Sequence, residues 1–182
     1  MAELGATLLQ LARNAIAARF GEAVVATADL PELHAPGATF VTLTEKGELR
    51  GCIGSLEAYR PLLDDVRDNA CNAAFRDPRF APLKARELPL TRVEVSLLTV
   101  AQPFPVSDEA DALARLRPGI DGVIFSARGR RSTFLPQVWE QLPRPAEFLA
   151  HLRLKAGLAA TYWGPDVRLE TYQVRKWQEP TS

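Results

Sequence analysis

The sequence predicts an α+β fold: an antiparallel sheet packed with helices in a two-layer arrangement, built as a larger and a smaller lobe. Three observations carry this. Two hairpin signatures stand out, at Glu45-Lys46-Gly47 and around Arg128-Gly129-Arg130-Arg131. Amphipathic helical stripes lie beside these hairpins and do not alternate with single strands, so a parallel doubly wound sheet is disfavoured. A segment with two prolines over 101–106 breaks the pattern between the halves.

The elements follow in order. Leu4, Leu8, Leu11, Ala15 and Ile16 recur at helical spacing, Phe20 closes the stripe, and Gly21 suits the residue after a helix end. Residues 24–36, with Pro31, Pro36 and Gly37 beside them, read as a loop with a short element. Residues 39–44 and 48–56 flank the first hairpin turn. Pro61 starts a second helix, with Asp64 and Asp65 at its positive end and Leu62, Leu63, Val66, Ala70, Ala73 and Ala74 as its stripe. Asp77-Pro78 stops it. Val93, Val95 and Leu97 alternate in a strand over 91–100.

After the break, Asp108, Glu109 and Asp111 open a short helix, 122–127 and 132–138 flank the second turn, and Pro145 starts a helix that ends before Gly157. Residues 166–174 form a closing strand. The expected organisation is one domain over 1–182, with a lobe boundary near 101–106. In it, 107–165 form the smaller lobe, and 166–177, around Tyr172, return to the main sheet.

Composition narrows the functional classes. The 182 residues carry 22 Lys plus Arg against 22 Asp plus Glu, and the neutral balance disfavours nucleic acid or an anionic membrane as main partner. With 47% hydrophobic residues the chain has material for a packed core. No export signal opens it and no apolar run reaches the length of a membrane span. Two cysteines, Cys52 and Cys71, are too few for a disulfide framework, so a cytoplasmic protein with unpaired thiols is expected.

Motifs exclude more. Glycine-rich phosphate loops, GxSxG, HExxH and CxxC are all missing. His34, His151, Cys52 and Cys71 match no zinc spacing, so neither metal nor cofactor is expected. Asp64 and Asp68 share a helix face that reads as solvated. Arg128, Arg130 and Arg131 read as a basic turn, with phosphate or RNA as the functional alternative. Tyr162-Trp163 reads as packing at a helix end.

One local constellation bears on chemistry, Leu49-Arg50-Gly51-Cys52-Ile53-Gly54. Strand alternation would put Arg50 and Cys52 on one face and Leu49 and Ile53 in the core. Glycines inside a strand mark close approach by a ligand or another backbone. A guanidinium beside Cys52 favours its thiolate, whereas a buried cysteine without a neighbouring base is a small hydrophobe. Both readings of Cys52, catalytic candidate and packing residue, stay open.

These residues also carry a resemblance. Residues 49–62 (LRGCIGSLEAYRPL) are similar to the signature of the AMMECR domain family, whose bacterial members are the A proteins of AmmeMemoRadiSam systems. The likeness continues through Asn69-Ala70, residues 73–83 (AAFRDPRFAPL), 93–99 (VEVSLLT), 119–125 (GIDGVIF), 134–138 (FLPQV) and 148–158 (FLAHLRLKAGL). Arg153 stands where many relatives have Cys. The resemblance implies a cytosolic α+β protein of two lobes, with the signature strand facing a cleft. It also implies two companions, a Memo-like protein and a radical S-adenosylmethionine (SAM) enzyme. The residues it transfers are Arg50, Gly51, Cys52, Ile53, Gly54, Asn69, Asp77 and Arg79.

Three functions follow as expectations. The first is an accessory component that binds a small molecule or presents a protein segment to those companions. The second is a thiol-dependent enzyme using Cys52. The third is RNA binding through the 128–131 turn.

Overall fold

The computed structural model describes residues 2–181. In chain order the elements are α1 (Ala2–Ala18), β1 (Ala38–Glu45), β2 (Glu48–Gly54), α2 (Leu62–Phe75), β3 (Thr91–Leu98), β4 (Gln102–Pro103) and α3 (Glu109–Arg115). Then come β5 (Gly122–Ala127), β6 (Arg130–Phe134), α4 (Pro145–Lys155), β7 (Arg168–Tyr172) and β8 (Val174–Gln178), with 3₁₀ turns at Pro31–His34, Ala85–Leu90 and Pro136–Glu140. They form two compact units. One runs through Leu98 and resumes at Arg175; the other is Thr99–Val174.

In the first unit, a four-stranded sheet has the order β2-β1-β3-β8. Val41 and Leu43 of β1 sit in register with Val95 and Val93 of β3, and all four are fully buried under α1 and α2. The α1 stripe forms because Leu4, Leu8, Leu11, Ala12 and Ile16 share one face. It ends where Gly21 takes φ +74°, a left-handed turn in which the N–H groups of Gly21 and Glu22 close on the carbonyls of Ala18 and Ala17.

The second unit has its own antiparallel sheet, in the order β4-β7-β5-β6. Phe125, Phe148, Leu149 and Leu152 are fully buried in its core. The Trp139 and Phe148 rings stack with centroids 3.7 Å apart, and the Trp139 indole N–H donates to the Asp121 carbonyl at 2.8 Å. Trp139 lies on the 3₁₀ turn Pro136–Glu140, where residues 136–138 were expected to continue the hairpin; Pro136, without an N–H, ends the ladder there. Arg153 is buried, donating to Glu109 of α3 at 2.8 Å and to the Tyr162 carbonyl at 3.2 Å.

Two expectations are corrected. Tyr172 does not return to the main sheet: β7 pairs with β5 in the second one, setting Leu169 opposite Phe125 and Tyr172 opposite Gly122. The chain re-enters the first sheet only after Gln173, as β8, which alternation alone could not separate from β7. The division also falls at Leu98–Thr99, ahead of the prolines at 103 and 105.

Candidate functional site

The signature segment is β2, an edge strand of the first sheet. Its pairing with β1 is regular from Gly54 opposite Phe40 to Gly51 opposite Leu43, then shifts, so that Leu49 lies opposite Thr44. Arg50 is the extra residue of this β-bulge. The bulge breaks the expected alternation. Leu49 is 41% exposed and does not reach the core.

Arg50 and Cys52 consequently do not present together. The Arg50 guanidinium donates from Nε and Nη2 to Glu87 at 3.0 and 3.3 Å, lies 4.0 Å from Glu45, and sits 6.0 Å from the Phe80 ring centre. That cation holds the Glu87 carboxyl below its ordinary range. The Cys52 thiol instead meets the Thr42 hydroxyl, with Sγ and Oγ1 3.3 Å apart. Thr42 and Glu45 are an odd number of residues apart along β1, so they face opposite sides of the sheet.

The two glycines have internal explanations. A Cβ on Gly51 would lie 2.1 Å from the Ala73 carbonyl oxygen of α2, and one on Gly54 would lie 2.2 Å from the Phe40 ring. The close approach read from the sequence is therefore made by the chain's own helix and its own neighbouring strand.

Asp77 and Arg79 meet Cys52 through its backbone. The Cys52 N–H donates to Asp77 Oδ2 at 3.0 Å, and Arg79 Nη2 donates to the Cys52 carbonyl at 3.4 Å and to Asp77 at 2.7 Å. Together they cover the outward backbone of an edge strand, a device that blocks strand addition. The Arg79 guanidinium, with the backbone N–H groups of Cys52 and Arg79, holds the Asp77 carboxyl well below the usual carboxylate range despite its burial.

Asn69 belongs to a second cluster at the far end of β2. The sequence reading missed its centre, Asp65, which is fully buried. Asp65 accepts from the Thr39 N–H and hydroxyl at 2.7 Å each, the Ser55 hydroxyl at 2.6 Å, Arg60 Nε at 2.9 Å and Asn69 Nδ2 at 3.0 Å. Asn69 also donates to the Thr39 carbonyl at 3.0 Å and to Ser55 at 3.1 Å. The signal was available: Asp65 and Asn69 are four apart on the helix face that buries Leu62, Val66 and Ala73.

Both cysteines are free, and burial pushes the Cys71 thiol up. Among the described residues, no helix is long and apolar enough to cross a membrane.

Comparison with known proteins places this geometry. The chain is 39% identical over 180 residues to a protein of Methanothermobacter thermautotrophicus, covering 96% of this chain and 94% of that one. It is 32% identical to Protein MK0488 of Methanopyrus kandleri, covering 97% and 89%. The crystal structure of uncharacterized protein PH0010 from Pyrococcus horikoshii superposes with a TM-score of 0.73 at 32% identity, over 94% of this chain and 89% of that one. A profile of the AMMECR1 family matches residues 9–177, nearly the whole length, and the chain belongs to the AMMECR1 family.

Proposed function

We propose that this chain is a cytoplasmic accessory protein of an AmmeMemoRadiSam-type system. It would bind a small molecule or present a protein segment to a Memo-like protein and a radical SAM enzyme, and perform no bond chemistry itself. One observation carries the reading: the polar groups of the signature segment are engaged in holding the strand. Arg50 is held by Glu87, Asp77 and Arg79 hold the Cys52 backbone, and the thiol's partner is the Thr42 hydroxyl, which is no base at neutral pH. A strand pinned in this way suits recognition, where preorganisation lowers the cost of binding, and among the described residues Arg50 Nη1 is left buried without a hydrogen-bond partner.

The test is co-expression with both companions followed by affinity capture. Co-purification of either companion, retained in Cys52→Ser, is the expected result. A second reading, a thiol-dependent enzyme, draws on the half-buried Cys52 beside the Arg79 guanidinium. It would be favoured if no companion is captured and Cys52→Ser abolishes a turnover detected in extracts.

A further inference from the structure

Beyond the signature strand, the first unit has a concavity of about 470 Å³ at the hairpin end of its sheet. Its walls come from the β1–β2 turn (Thr44, Lys46), the segment entering β3 (Pro89, Leu90, Arg92) and the tail (Pro180). We propose that this concavity binds a small organic anion, one anionic group on an apolar body.

Charge supports the anionic half. Arg13 also lines the concavity, but its charge is matched by Glu179, which it grips with two guanidinium nitrogens at 2.5 and 2.7 Å. Glu179 additionally accepts from the Val93 N–H at 2.9 Å, so this carboxylate is held in place. Lys46 of the turn and Arg92 of β3 remain, two cations lining one opening, with Thr44 of β1 paired opposite Arg92. Arg92 is oriented by its Nε donating to the Glu179 carbonyl. Lys46 stands on a rigid two-residue turn, with Lys46 at φ +54° and Gly47 at φ +81°, the mirror-image geometry that matches strand twist.

Apolar surface supports the other half. Leu90 is 56% exposed, and the rings of Pro89 and Pro180 line the same concavity. An apolar body seated there would cover surface now left to water, while its anionic group met Lys46 and Arg92. The concavity thus has the composition of a ligand site, apolar walls with a few convergent polar groups.

The ¹⁵N-labelled full chain would be titrated with phenyl phosphate, benzoate, inorganic phosphate and phenol. Saturable shifts of the Lys46, Gly47, Leu90 and Arg92 amides with either aryl anion are expected, and the pair of anions distinguishes a phosphate from a carboxylate ligand. Lys46→Gln and Arg92→Gln should each weaken binding at least about tenfold, the scale of a lost charged hydrogen bond. Lys46 sits on an exposed turn, so Lys46→Gln remains decisive if Arg92→Gln disturbs the tail. The proposal is overturned by saturation with neither aryl anion, by inorganic phosphate or phenol binding as tightly as they do, or by binding unchanged in Lys46→Gln.

Discussion

At the residue scale, Arg50 and Cys52 part company because one extra residue enters β2. Arg50→Ala would leave Glu87 and Glu45 without their cation, so it should destabilise the first unit by about 1–2 kcal/mol, read by denaturant unfolding. Gly51→Ala should cost about 3 kcal/mol, the upper end of overpacking, because the clash is with the α2 backbone and no side chain can turn aside. A Gly51→Ala protein as stable as wild type would mean that α2 does not seat there. Asp77 makes a pH-dependent contribution. Its carboxyl is depressed in the folded state, so its stabilisation is present above the unfolded value of about 4 and is lost as pH falls below it. The stability gap between wild type and Asp77→Asn should therefore be widest above about pH 4 and close in acid; a constant gap contradicts the ion pair. Apart from Asp65, the residues of this site were legible in the sequence, but their grouping was not. No local signal announces the extra residue that Arg50 adds to β2 opposite Leu43 and Thr44, and Asp65 reads as a helix-start acid unless its spacing to Asn69 on the buried face is followed.

At the scale of elements, β8 holds its place through more than a strand ladder. The Glu179 N–H donates to the Val93 carbonyl at 2.9 Å, while its carboxylate bridges Arg13 of α1 to the Val93 N–H. A chain ending at Val174 should keep slow amide exchange in β5 and β7, whose pairing is internal to the second sheet. It should lose protection at Val93. Equal protection at Val93 in both chains would show that the tail adds nothing. Helices and hairpins were legible because their periods and turn residues are local: the α1 stripe, Gly21, and the turn at Lys46-Gly47 all stand where the pattern puts them. The break at Gln173 was not, since 166–177 reads as one stretch returning to the main sheet, and only the partners β5 and β3 decide which sheet each half joins.

At the scale of the whole molecule, the fold class follows from hairpin signatures, helical stripes and punctuation, and two antiparallel sheets with helices match it. What remained hidden was the order in which the chain visits its two units, because pairing between distant strands leaves little trace in either strand alone. That order has a consequence in time. One outer strand of the first unit, β8, is synthesised only after Thr99–Gln173. At ordinary translation rates the wait is on the order of ten seconds, long compared with the folding of a small domain. β7 and β8 are adjacent in the chain, so both units gain their last strand almost together, and until then the first unit stands with one flank of β3 bare. Any chaperone that attends this polypeptide would be needed during that interval, and on that strand.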